Sequence, residues 1–239
     1  MKLAIMQPYL FPYVGYYGLI DYSDKFIFFD TPQYIQKGWI NRNRIIGNDG
    51  QPVYFTIPVK KAPRDTKIED MVVNETTNWR DKILGQLSVY KRKAPYYDNV
   101  MSLVKSVISF KPEARTLSQC CIDSIVKTCQ YIGMDIEYDV FSDMNLFYDN
   151  IDAPDEWALE ISKSLGAKTY VNPPGGKTFF DSQKYADAGI ELLFLEPDFV
   201  RYIQKIGHFE AGLSILDVMM FNSPNETKDI IKSYKIVRS

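Results

Sequence analysis

Lys2-Leu3-Ala4-Ile5-Met6-Gln7-Pro8, then Val14-Gly15-Tyr16-Tyr17-Gly18-Leu19-Ile20-Asp21-Tyr22, then Lys25-Phe26-Ile27-Phe28-Phe29-Asp30 is the stretch whose reading decides the fold. Residues 2–6 form an apolar run short enough for a buried strand. Gln7-Pro8 ends it, because proline has no N–H for a ladder and drives the residue before it toward extended geometry. Residues 9–13 read as a loop. Val14, Tyr17, Leu19 and Ile20 recur at roughly helical spacing, and 25–29 is again a compact apolar run. A strand, a helix and a second strand so joined are expected to be parallel, with a right-handed crossover that sets their carboxyl ends side by side, where open α/β sheets bind ligands. Gln7 and Asp30 are therefore expected to be neighbours.

Downstream, residues 41–59 read as a hairpin. Its strands are 44–46 and 53–57, and Gly47-Asn48-Asp49-Gly50 supplies turn residues that tolerate positive φ. Helical patterns follow near 79–93, 97–110 and 113–132, with Asn78 placed as an N-cap. A second alternation comes next: strand 136–141, helix 155–165 after Pro154, strand 168–171, helix 182–188, strand 190–195. The last fifty residues read as helical. No repeat or linker marks a boundary, so the expectation is an α/β fold in one domain over 1–239. It has a parallel or mixed sheet with flanking helices and a helical layer or insertion around 79–133.

Composition narrows the chemistry. The 239 residues are 46% hydrophobic and carry a formal net charge of -2, so no overall positive field draws the chain to nucleic acid or an anionic membrane. No apolar run reaches the roughly 20 residues that span a bilayer, and 3–6 is too short for a signal-peptide core, which predicts a cytoplasmic location. One histidine, His208, and three cysteines are too few for a multi-ligand zinc site or a disulfide framework, so no metal site is expected. Cys120, Cys121 and Cys129 fall on one stripe with Leu117, Ile125, Thr128 and Ile132 and read as core packing. His208 reads as a surface or capping residue. Ser214 and Asp217 stand at capping-box spacing. Gly175-Gly176-Lys177-Thr178 mimics the end of a phosphate loop but lacks its first glycine, since Val171 stands there. Its two glycines either let backbone N–H groups approach an anion or sugar, or form a plain turn.

The 14% aromatic content includes 17 tyrosines, several of them clustered in the first forty residues. In Gln33-Tyr34-Ile35-Gln36-Lys37-Gly38-Trp39-Ile40-Asn41-Arg42-Asn43-Arg44, flat rings alternate with amides and guanidinium groups. Such groups supply directed donors for hydroxyls, carboxylates or phosphates, while the rings cover a sugar or base.

Met6-Gln7-Pro8-Tyr9-Leu10-Phe11-Pro12-Tyr13-Val14-Gly15-Tyr16, with Asp30, Gln33-Tyr34, Gly38-Trp39, Asn41-Arg42-Asn43 and 209–217, resembles the WbqC-like protein family over nearly the whole chain. That family is chiefly known from gene clusters for bacterial surface polysaccharides. The resemblance implies a step on an activated sugar or its acyl donor, and it carries the family's motif to Gln7, Tyr9, Tyr13, Gly15, Tyr16, Asp30, Gln33, Tyr34, Trp39, Asn41, Arg42 and Asn43. The layout of the first strand, proline-rich loop and helix is also similar to nucleotidylyltransferases, but Tyr13 and Tyr16 stand where those enzymes carry paired histidines. A phenol cannot replace an imidazole in their usual mechanism.

The function expected is a transferase of O-antigen-type polysaccharide biosynthesis that moves an acyl or aminoacyl group onto a nucleotide-linked amino sugar. Asp30 would take the amine proton, and Asn41, Asn43 and Arg42 would hold the oxyanion or a donor phosphate. Substrate binding is assigned to Gln7, Tyr9, Tyr13, Tyr16, Gln33, Tyr34, Trp39, Asn43, Gly175 and Gly176. No cofactor is assigned, and the expected partner is a small molecule, a nucleotide sugar. The alternatives are an ATP-dependent nucleotidyl or adenylyl transfer enzyme and a noncatalytic carbohydrate-binding accessory protein.

Overall fold

A computed structural model describes residues 1–109, 115–146, 151–205 and 207–238. In chain order the first half contains β1 (Lys2–Met6), α1 (Val14–Tyr22), β2 (Lys25–Phe28), β3 (Arg42–Ile46), β4 (Pro52–Thr56), α2 (Trp79–Leu87), α3 (Tyr97–Ile108) and α4 (Leu117–Ile132). The second half contains β5 (Tyr138–Val140), α5 (Glu156–Ser164), β6 (Thr169–Asn172), α6 (Ser182–Asp187), β7 (Glu191–Pro197), α7 (Ile215–Phe221), α8 (Pro224–Ile231) and β8 (Tyr234–Arg238). Residues 110, 113 and 114 of the expected helices lie outside the described residues.

Six strands form one sheet in the order β5-β2-β1-β6-β7-β8, parallel except for β8, which runs antiparallel on β7. Counting only those six strands along the chain, the order is 3-2-1-4-5-6, that of a doubly wound sheet. The fold is thus α/β, with a mostly parallel sheet and flanking helices.

Strand periodicity explains why the central strands read as unbroken apolar runs. Leu3, Ile5 and Ile27 point to one face and pack with Ala158, Ile161, Tyr170 and Tyr185, while Ala4, Phe26 and Phe28 point to the other and join α1, α4 and α7. Each fully buried leucine, isoleucine or phenylalanine among them contributes about 1.5–3 kcal/mol. The hairpin β3–β4 is a separate two-stranded sheet, in register Arg44↔Tyr54 and Ile46↔Pro52. It packs with α2–α4 as the helical layer expected between 79 and 133.

Some local expectations fail for physical reasons. The C-terminal stretch is not uniformly helical: 198–205 and 207–213 are irregular, and Tyr234–Arg238 pairs with β7. Asn78 occupies the N-cap of α2 but makes no side-chain cap bond. Ser214 does cap α7, its Oγ accepting from Leu216 N at 3.3 Å, yet Asp217 does not reach back to complete a box; its carboxylate is engaged in the interior.

The cysteines pack as their spacing predicts. Cys120, Cys121 and Cys129 are all buried and free of disulfides, and burial pushes the Cys120 and Cys129 thiols up to about 12 and that of Cys121 upward too. Thiolate is the reactive form, so all three should stay inert to a thiol reagent at neutral pH in the native protein and react together on unfolding. Rapid labelling of any one of them without loss of structure would contradict this packing.

Candidate functional site

At the switch point of the sheet the helices leave β1 and β6 to opposite sides and open a crevice beyond their carboxyl ends. Met6 and Gln7, at the end of β1, and Pro173, directly after β6, lie at the base of a cleft of about 590 Å3. Its walls are Tyr9, Tyr13 and Tyr16 on one side and Trp39, Asn43 and Arg44 on another. Ile35, Trp39 and Phe199 form an exposed apolar rim.

The loop that carries Tyr9 and Tyr13 is held in a conformation the chain would not adopt by itself. Phe11 is buried and has φ 42°, in the left-handed region that a bulky residue enters only when its surroundings enforce it. Here they do: Phe11 N donates to Ser124 Oγ at 3.0 Å, and Phe11 O accepts from Asn43 Nδ2 and Ser214 Oγ, both at 2.7 Å. Leu10 N donates to Ile40 O at 3.0 Å. Helix α4, the hairpin and the start of α7 thus fix one loop between them. Tyr16 Oη donates to Gln7 O at 3.1 Å, Tyr13 N donates to Tyr9 Oη at 3.3 Å, and the Tyr9 ring meets Tyr16 edge-on at 5.4 Å. Gly15 permits this wall, because a Cβ there would lie 2.6 Å from Tyr13 Oη.

Burial raises the pKa of the Tyr9, Tyr13 and Tyr16 phenols, with desolvation as the leading cause, so they remain neutral and offer polar O–H groups rather than bases. Among the residues lining the cleft none carries a carboxylate, imidazole or thiol, and the one formal charge is Arg44. The Arg44 guanidinium stands 5.6 Å from the Trp39 ring, and its Nε is buried with no hydrogen-bond partner.

Six of the expected site residues line this cleft: Gln7, Tyr9, Tyr13, Tyr16, Trp39 and Asn43. The three assigned to catalysis do not. Asp30 is buried at the end of β2, where Oδ2 accepts from Ser118 Oγ at 3.0 Å and Ser142 Oγ at 2.9 Å and Oδ1 from Ser142 N at 3.1 Å. It ties α4 and the segment after β5 to the sheet. The parallel pairing of β1 and β2 ends at Met6↔Phe28, so Gln7 and Asp30 both lie just beyond it, and their side chains serve different places. Asn41 Nδ2 donates to Ile57 O at 2.8 Å and lengthens the hairpin ladder. Arg42 Nε donates to Gly38 O at 2.8 Å, a second guanidinium nitrogen donates to Lys37 O, and the group stacks 4.5 Å from the Tyr54 ring.

Gln33 and Tyr34 line a neighbouring cleft instead. Gly175 and Gly176 form a 3-10 turn over 174–176 outside the main cleft. The Asn172 amide and the Phe180 ring fill the space a Cβ on Gly176 would need, so close packing accounts for that glycine. His208 is exposed. The cleft also takes in residues that sequence reasoning does not single out, among them Met6, Pro173, Phe199 and above all Arg44, which closes the run of aromatics and amides at 33–44.

The model of the WbqC-like protein family matches residues 7–229, from the end of β1 through α8. An uncharacterized protein of Mycobacterium tuberculosis is 27% identical over 233 residues, spanning 97% of this chain and 97% of its own length. No solved structure matches, so the expected likeness to nucleotidylyltransferases gains no support from that side.

Proposed function

Because the chain belongs to the WbqC-like protein family, we propose that the switch-point cleft binds a nucleotide-linked amino sugar and that the protein transfers an acyl or aminoacyl group onto it in surface polysaccharide biosynthesis. One observation carries the reading: Arg44, whose buried Nε has no hydrogen-bond partner, is the one charged side chain lining a cleft walled by aromatic rings. An unsatisfied buried donor is costly, and a phosphate or carboxylate is the group that best satisfies it. Tyr9, Tyr13 and Trp39 offer faces for a base and a sugar, and the Gln7 amide is a directed partner for hydroxyls.

The chemistry that suits such a cleft is transfer by positioning. The amine nitrogen forms a bond to an activated carbonyl carbon, the bond from that carbon to its leaving group breaks, and the amine proton departs with the leaving group. Arg44 holds the anion, and the rings hold the sugar within reach of the donor. Asp30, engaged by two serines, is not given the role of base, and Arg42, engaged by the 37–38 turn, is not given that of anion holder.

Thermal shift with nucleotide sugars, free amino sugars, acyl donors, ATP and polysaccharide tests the reading. A nucleotide sugar at one hundred times its Kd should stabilise the wild type by about 2.7 kcal/mol, and Arg44→Ala should lose most of that gain while keeping the unliganded Tm. Arg42→Ala should do the reverse, retaining the ligand response but losing about 1 kcal/mol of stability with its carbonyl bonds. A response to ATP alone would move the reading to nucleotidyl transfer; a response to polysaccharide alone would leave a carbohydrate-binding accessory.

A further inference from the structure

Beside the first cleft lies a second, of about 560 Å3, whose chemistry is different. Its floor is Tyr34, Val59 and Met71, and Lys60, Lys61 and Arg64 stand around it. Among the described residues none of these three cations forms an ion pair, although the chain as a whole carries two more acidic than basic residues. Lys67 is paired with Glu69 at 3.0 Å, and the nearest acid in sequence, Asp65, is exposed and does not line the cleft.

The scaffold that presents the cations is fixed. Tyr34 N donates to Thr66 O at 2.8 Å, Ile68 N to Pro32 O at 2.9 Å and Lys60 N to Val72 O at 2.9 Å, while Gln33 Nε2 donates to Arg64 O. Three cations and no acidic residue in the lining of one cleft favour a ligand that carries two or more negative charges.

We infer that this second cleft is a binding site for a diphosphate-bearing ligand. Ile35 lines both clefts, so ligands in the two would approach each other across one side chain. On the proposed function, the diphosphate belongs to the acyl donor and the nucleotide sugar occupies the first cleft; that assignment of roles rests on the proposed function, whereas the diphosphate site rests on the cations.

Isothermal titration of coenzyme A, ATP and inorganic pyrophosphate into the wild type, into Arg44→Ala, and into Lys60→Ala, Lys61→Ala and Arg64→Ala combined tests it. The three side chains are exposed, so the combined variant should keep the wild-type Tm. Removing three exposed charge contacts should weaken the diphosphate ligand by about tenfold, and raised ionic strength should weaken it in the same direction. Arg44→Ala should leave it unchanged, which separates this site from the first. Tight coenzyme A binding assigns the diphosphate to an acyl carrier, and preferential ATP binding assigns it to a nucleoside triphosphate. Binding of none of the three probes to the wild type, or binding that the combined variant leaves intact, would overturn the inference whatever the first cleft binds.

Discussion

Asp217→Ala should lower the stability of the protein by about 3 kcal/mol, because it orphans three hydrogen-bond donors on two separate segments of the chain. Asp217 is fully buried on α7. Its Oδ1 accepts from Tyr90 Oη, and its Oδ2 accepts from Tyr202 Oη at 2.6 Å and Gln204 Nε2 at 3.0 Å. Tyr90 Oη in turn accepts from Ile46 N at 3.1 Å, which connects the hairpin to α7. Gln204 is also clasped to Glu210 by two bonds, Nε2 to Glu210 O at 2.9 Å and Glu210 N to Oε1 at 2.8 Å. The carboxylate thus helps to anchor the stretch between β7 and α7 that brings Phe199 and Gly212 to the cleft. Urea unfolding should show a lower midpoint, and ligand response should weaken with it. An unchanged midpoint would mean that the network is incidental.

The same group gives a signed pH dependence. Burial raises the Asp217 pKa in the folded protein above its ordinary value, outweighing the hydrogen bonds that lower it. The native state then holds a proton over a range where the unfolded chain has lost it. The contribution is therefore greatest below the ordinary carboxylate range and declines as pH rises through the folded pKa. Asp217→Asn cannot titrate, so the stability difference between wild type and this variant should shrink as pH rises across that window.

How far all this was legible in the sequence depended on the distance between partners. The β1-α1-β2 unit was legible because each element declares itself within ten residues and proline marks the end of the first strand. The five residues of β8 were hidden because a short strand after two helices has no period long enough to assert itself. The aromatic wall was legible in Tyr9, Tyr13, Tyr16 and Trp39. The fate of Asp30 was not, since its partners Ser118 and Ser142 lie 88 and 112 residues away. Asp217 satisfied a local capping pattern, and a tyrosine 127 residues distant decided otherwise. Arg42 and Arg44 stand on one strand with the same chemistry; only the turn carbonyls of Lys37 and Gly38, which Arg42 reaches first, make one a brace and leave the other open.

Asn43→Ala should destabilise the protein by about 2–3 kcal/mol and abolish ligand response at the same time. Asn43 is nearly fully buried, and its amide does two things at once: Nδ2 donates to Phe11 O at 2.7 Å and Leu10 O at 3.3 Å, while Oδ1 accepts from Arg44 N at 2.8 Å. Ser214 still holds Phe11 O after the substitution, but Leu10 O and Arg44 N lose these bonds. The left-handed Phe11, strained by about 1–3 kcal/mol, is then less firmly held. Relaxation there carries Tyr9 and Tyr13 with it, so the ring wall and the backbone beneath Arg44 shift together. The contrast with Arg44→Ala is the diagnostic feature, since that variant should lose ligand and keep stability. Asn43→Asp sharpens the test: the side chain keeps its size and its acceptor but sets a buried carboxylate against two carbonyl oxygens, so at neutral pH it should be at least as damaging as alanine. An Asn43→Asp protein as stable as wild type would show that the amide does not hold the loop, and the account of the cleft's geometry would fail with it.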